Sequence, residues 1–139
     1  MPPPGYKVSV DVQVRFRDTD AMGHVNNAVY LSYLELARLH YWRTVTGSRD
    51  IKAIDIIVAR VEIDYRAAVM LDTELACWVR VSEWGRSSFT MEYRLEEKGA
   101  GRLMAQAKTV QACFDYAAGK VKRVPEEFRR KAEALEAAV

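Results

Sequence analysis

Cysteine and histidine are scarce. The 139-residue chain has two of each, no CxxC pair and no Cys/His cluster at metal-ligand spacing, which argues against a disulfide framework or a zinc centre. Cys77 and Cys113 sit inside alternating apolar segments and read as buried thiols in strands. No stretch approaches the roughly 18 apolar residues that a membrane span needs. The start, Met1-Pro2-Pro3-Pro4-Gly5, lacks the apolar region of a secretory signal, so a cytoplasmic protein is expected. An excess of charge is missing too. With 21 Lys and Arg against 19 Asp and Glu, the net charge is +2, too balanced for nucleic acid as the main partner. A local basic patch for a phosphorylated cofactor stays open. No internal repeat, linker or low-complexity tract appears.

What is present fits one domain over residues 1–139, with 1–6 expected to be flexible. Half the residues are hydrophobic and 29% are charged. A chain of this length buries roughly two-thirds of the surface its unfolded form exposes, so it needs no covalent staple.

The patterning alternates between two periods. Val8, Val10, Val12, Val14 and Phe16 alternate with polar residues, which predicts a strand with one buried face. Asp18-Thr19-Asp20-Ala21-Met22-Gly23 breaks the alternation with a turn. From about Asn27 to Thr46 the pattern is helical and apolar around most of its circumference, as in a helix wrapped by other elements. Asn26 or Asn27 suits its N-cap and Gly47 its C-terminal stop.

Four strand-like runs follow, at about 59–66, 74–82, 89–96 and 103–115. Hairpin turns at Trp84-Gly85-Arg86 and Lys98-Gly99-Ala100-Gly101 join the last three. A short amphipathic helix over 125–138 closes the chain, with Phe128, Ala132 and Leu135 as its stripe. This order predicts an α+β domain with an antiparallel sheet. The surplus of apolar surface suggests a second copy of the chain on the face the helix leaves open.

The chemistry concentrates in Asp18-Thr19-Asp20-Ala21-Met22-Gly23-His24-Val25-Asn26-Asn27, carboxylates on a turn just before a buried helix. The first N–H groups of a helix have no intrahelical partner, and the dipole there favours developing negative charge. A thioester carbonyl aimed at such an N–H is polarised, and a nearby carboxylate can attack it or deprotonate a water that does. An acidic turn before a helix is also an ordinary cap, so spacing alone leaves both readings open.

These residues, followed by Tyr30-Leu31 and Glu35-Leu36-Ala37-Arg38, resemble the signature of the 4-hydroxybenzoyl-CoA thioesterase-like hotdog family, and the His-Val-Asn-Asn portion is similar to acyl-carrier-protein thioesterases of that fold. The resemblance extends from about Val10 to Phe114, through Asp64-Tyr65 to Asp72 and the hairpin Glu83 to Phe89. It implies a hotdog fold, a five-stranded antiparallel sheet around a long central helix, and hydrolysis of acyl-CoA to a carboxylic acid and coenzyme A. It implies no cofactor besides the coenzyme A of the substrate, no metal, and a homodimer or homotetramer with the site between subunits.

Residue by residue, the resemblance makes Asp20 the nucleophile or general base and the Asn27 backbone N–H the carbonyl polariser. Gly23 matches the glycine that lets the turn approach the substrate. Arg86, Ser87 and Ser88 lie where relatives contact coenzyme A. Some relatives carry a basic run at that hairpin, where this chain has Arg86 between Gly85 and Ser87. His-Val-Asn-Asn replaces the aromatic or Tyr-His residues that many relatives have before the helix.

The remaining candidates carry plainer readings. Asp18 is expected to fix the turn by hydrogen bonding. His24 reads as a partly exposed turn residue able to orient water or substrate, and Asn26 as a cap able to hold Asp20 or the carbonyl. Glu35 is expected to pair with Arg38 or a strand arginine, and His40-Tyr41-Trp42 to belong to the core. Three rival functions share the fold: a thioester dehydratase or hydratase, for which no His–carboxylate pattern stands out, a non-catalytic acyl-CoA binding module, which has no need of Asp20, and an acyl-carrier-protein thioesterase.

Overall fold

The computed structural model describes residues 2–50 and 53–138. Its elements are β1 (Val8–Val12), 3-10 turns at Phe16–Asp18 and Asn27–Val29, α1 (Tyr30–Thr46), β2 (Ile56–Tyr65), β3 (Leu75–Trp84), β4 (Ser88–Glu97), β5 (Leu103–Asp115), β6 (Lys120–Val121) and α2 (Glu126–Ala137).

Period-two patterning places the core on one face of the sheet. The strands pair antiparallel in the order β1-β3-β4-β5-β2. Register sets Val8 beside Val79 and Tyr93, and Val10 beside Cys77 and Leu95, on the face toward α1. Leu34, Ala37 and Tyr41 of α1 complete that core. The opposite face carries charge: Arg80 pairs with Glu92 at 3.0 Å, and Glu92 stands beside Lys108. A long helix held by an antiparallel sheet is the hotdog arrangement. The short β6, which pairs with β5, makes a sixth strand beyond the five expected.

Several local expectations need correction. The first strand stops at Val12, and Phe16 is 81% exposed instead of buried. The Asp18 carboxylate captures the Arg15 N–H at 2.9 Å, and the chain turns into a 3-10 helix that swings Phe16 outward. The first three residues of the expected helix, Asn27–Val29, are 3-10 instead of α. Gly47 ends α1 at φ 71°, a left-handed cap that suits glycine. α1 packs on β1, β3 and α2. Within one chain, however, it is covered on one side only, leaving Leu31 and Leu36 exposed. β2 starts at Ile56, three residues before the alternation at Ala59 suggests, because a bulge between Val58 and Arg60 breaks the period. In α2, Pro125 is the N-cap, and Ala132 is fully buried between Phe128 and Leu135. Ahead of β1, the Tyr6 N–H closes a turn on the Pro3 carbonyl, and the Arg80 guanidinium sits 4.8 Å above the Tyr6 ring.

Candidate active site

Asp18 anchors the turn. Its buried carboxylate accepts from the Arg15 N–H at 2.9 Å, the Arg15 guanidinium at 3.0 Å and the Tyr33 hydroxyl at 2.8 Å. Burial alone would push its carboxyl up. The Arg15 and Tyr33 bonds outweigh that and hold it below the usual carboxylate range. Tyr33, buried and donating to a carboxylate, is driven well above the ordinary tyrosine value. The structural role expected for Asp18 is therefore met, through a partner from α1 that local sequence does not reveal.

Asp20, two residues on, is exposed. Its Oδ1 accepts the Met22 N–H at 2.9 Å and the His24 N–H at 3.4 Å, while Oδ2 makes no hydrogen bond among the described residues. A short ladder fixes the carboxylate: the Asp20 N–H donates to the His24 carbonyl at 2.8 Å, Thr19 bridges Val25, and the Asn26 N–H donates to the Asp18 carbonyl at 2.8 Å. Gly23 closes the turn at φ 80°, where a side chain would be strained. A Cβ there would meet only the Met70 Cε at 3.9 Å, so backbone conformation is what calls for glycine.

The same ladder delivers the helix start. The Asn26 side chain caps it, accepting the Ala28 N–H at 2.9 Å, and the Val29 N–H donates to the Asn26 carbonyl at 2.9 Å. Between them, the Asn27 N–H has no acceptor among the described residues. Tyr65 from β2 donates its hydroxyl to the Asn27 carbonyl at 2.9 Å and sets its ring edge-on to Tyr30 at 4.8 Å. Tyr33 and Tyr65, which brace the two ends of the site, are the residues that sequence reasoning missed. Their only signal there was an unusual density of tyrosine.

His24 is exposed, and its backbone bridges Met70. Thus Asp20, Gly23, His24, Asn26 and Asn27 come together. Arg86, Ser87 and Ser88 do not join them within one chain. Ser88 pairs with Ala112 on β5, whereas Tyr65, at the Asn27 end, pairs with Ala105. Seven residues of β5 separate the two ends, roughly 23 Å at strand rise. At the hairpin, the Gly85 N–H donates to the Ser88 carbonyl at 2.8 Å, and Arg86 is exposed with no ion pair among the described residues.

Two further expectations are overturned. Glu35 is exposed and has no ion pair among the described residues, because Arg38 turns to the Tyr93 hydroxyl at 3.3 Å. His40 is exposed, while its neighbours Tyr41 and Trp42 are buried. The thiols are buried as expected, and burial pushes Cys77 up to about 12 and Cys113 to about 11. Among the described residues no group of three or more His, Cys, Asp or Glu side chains is placed to hold a metal ion.

Chemically, the arrangement offers a fixed carboxylate with a free oxygen beside a helix start with an unused N–H. That pairing suits attack on a carbonyl whose oxygen gains charge.

Known proteins carry the same architecture. The family model described as Thioesterase-like superfamily matches residues 14–132. The acyl-CoA thioesterase YbgC of Haemophilus influenzae (strain ATCC 51907 / DSM 11121 / KW20 / Rd) is 35% identical over 128 residues, covering 87% of this chain and 90% of that protein. YsmA of Bacillus subtilis (strain 168) is 37% identical over 82 residues, a match spanning 59% of this chain and 56% of that protein. A crystal structure of a thioesterase complexed with coenzyme A and Zn from Thermus thermophilus superposes with TM-score 0.87 at 38% identity, covering 99% of both chains.

Proposed function

Because the chain belongs to the thioesterase-like superfamily and is a thioesterase, we propose that it hydrolyses acyl-CoA thioesters, with Asp20 as the reacting carboxylate and the Asn27 N–H as the carbonyl polariser. The observation that carries this reading is the Asp20 turn: one carboxylate oxygen tied down, the other unbonded, on the ladder that presents the unused helix N–H. The names of the YbgC relative and of the Thermus thermophilus coenzyme A complex support the substrate class.

As general base, the Asp20 carboxylate takes a proton from water while the water oxygen bonds to the thioester carbon. The carbonyl oxygen becomes an oxyanion held by the Asn27 N–H. Collapse breaks the C–S bond, and the sulfur leaves as coenzyme A thiolate and takes up the proton, leaving a carboxylic acid. As nucleophile, Asp20 would instead bond to that carbon, expel the thiolate and form an anhydride that water then cleaves. Both routes need the same carboxylate. His24 and Asn26 stand close enough in sequence and fold to orient water or the carbonyl. No dissociable cofactor is invoked, because a thioester is already activated.

Arg86, Ser87 and Ser88 lie too far from Asp20 to serve the same active site within one chain, so the coenzyme A contact is assigned to the hairpin of a second copy. The exposed apolar side chains along β2, Ile57, Val58, Val61 and Tyr65, favour such a homo-oligomer. No helix among the described residues is long and apolar enough to cross a membrane. Thiol release from acyl-CoAs, lost in Asp20→Asn, is the test.

A further inference from the structure

The chain carries five methionines. Two of them, Met91 and Met104, are each 2% exposed and belong to the core. Met22 and Met70 are 76% and 44% exposed, and both stand at the candidate active site. Met22 is part of the acidic turn, and its N–H donates to the Asp20 Oδ1 at 2.9 Å. Met70 bridges His24. Its methyl group lies 3.9 Å from where a Cβ on Gly23 would stand. The Met70 backbone is itself held, its N–H donating to the Thr73 hydroxyl at 3.0 Å and its carbonyl accepting the Thr73 N–H at 3.1 Å. Among the described residues, the accessible methionine sulfurs are therefore gathered at the turn that carries the reacting carboxylate.

The thiols do not compete with them for an oxidant. Cys77 and Cys113 are buried, and burial raises them to about 12 and about 11. Neither is then a thiolate near neutral pH, and the thiolate is the form that oxidants attack. A thioether has no proton to lose, so its reactivity is set by access. That access survives assembly: the thioester carbonyl must reach Asp20, so a second copy that completes the site has to leave this turn open.

We propose that Met22 and Met70 form a modification site at which peroxide switches the enzyme off reversibly. The thioether lone pair attacks one peroxide oxygen. The S–O bond forms as the O–O bond breaks, water leaves, and sulfur is oxidised while the peroxide is reduced. The product is a polar, chiral sulfoxide in place of an apolar thioether. On Met22 the new oxygen brings partial negative charge to the Asp20 turn. On Met70 it draws water against Gly23 and the His24 bridge, the contacts that hold the turn. Both move the carboxylate off the approach of the carbonyl. This effect on turnover rests on the hydrolase reading above, whereas the site of oxidation does not.

The test treats the full chain with millimolar hydrogen peroxide and removes the excess with catalase. Peptide mass mapping then locates the added oxygen, and thiol release from an acyl-CoA gives turnover as a fraction of the same protein's untreated value. Wild type should gain oxygen on Met22 and Met70 well before Met91 and Met104, with both cysteines unmodified. Its turnover should fall about 10- to 100-fold, the scale on which a misplaced reacting group slows an enzyme. Methionine sulfoxide reductases, one for each sulfoxide epimer, should restore it. The double variant Met22→Leu/Met70→Leu, a swap that nearly conserves volume, should keep most of its own untreated turnover after peroxide. Full turnover with both methionines oxidised would overturn the switch, as would an equal loss in the double variant. Oxidation of Met91, Met104 or the cysteines as fast as Met22 and Met70 would overturn the site. An untreated protein that releases no thiol from any acyl-CoA would overturn hydrolysis and the switch together, and the oxygen map would still decide the site.

Discussion

Asp18 and Asp20 share a side-chain type and a turn, and their surroundings divide their roles. Asp18 is buried and saturated with donors from Arg15 and Tyr33, whereas Asp20 is exposed with one oxygen unbonded. A saturated carboxylate resists protonation and has no lone pair to lend to substrate. Asp18→Ala is expected to destabilise the fold by about 2 kcal/mol, since it strands a buried hydroxyl and a backbone N–H. The pH dependence has a definite sign. Because the folded carboxyl sits below its usual value, its contribution is full above the unfolded carboxyl range near pH 4 and is lost as pH falls through the folded value. Thermal melts from pH 6 to 2 should show wild type losing stability more steeply than Asp18→Ala at the acid end. The Asn26 cap and the Gly23 turn were legible in sequence, because turn chemistry and capping are local, whereas Asp20 and the Asn27 N–H were singled out by the family resemblance. The braces Tyr33 and Tyr65 were not legible, because they arrive from α1 and β2 and their bonds exist only in the folded chain.

At the level of elements, α2 is held by one carboxylate. The Glu136 Oε2 accepts the Tyr41 hydroxyl at 2.6 Å and the Val81 N–H at 2.9 Å, tying the terminal helix to α1 and β3 at once. Burial, and then that bond, drive the Tyr41 phenol far above its ordinary range. Glu136→Ala leaves both donors unpaired in the interior. It should cost about 2 to 3 kcal/mol, read as a lower urea midpoint with an unchanged slope. The apolar stripe of α2 was visible in sequence, but this exposed-looking glutamate was not. The strands show the same division. β4 alternates cleanly from Ser88 to Leu95 because one face is buried and the other is polar. β2 hid its start because the bulge after Val58 interrupts the period, and β6, with two residues, is too short to carry one. Phe16 misled because its alternation continued past the point where Asp18 pulls the chain into a turn.

At the scale of the whole molecule, the proposed site would draw on more than one chain. The acidic turn and the Arg86 hairpin sit at opposite ends of the sheet, and Ile57, Val58 and Val61 of β2 are exposed apolar side chains. No sequence pattern showed this separation, since it follows from strand register. A second copy that covers β2 would bring its own hairpin toward Asp20. Val61→Lys places a charge among those side chains and is expected to shift the species seen by size-exclusion chromatography with light scattering toward monomer. Acyl-CoA turnover should fall together with the oligomer. A wild-type protein that is a stable monomer with full turnover would contradict the shared site.

The most direct test of the central claim is thiol release from a panel of acyl-CoAs, measured for wild type beside Asp20→Asn, with a no-substrate blank for Cys77 and Cys113. The account predicts turnover by wild type and a fall in kcat of about 10²- to 10⁴-fold in the variant, with KM little changed. Asp20→Asn retaining near-wild-type kcat would remove this carboxylate from the mechanism.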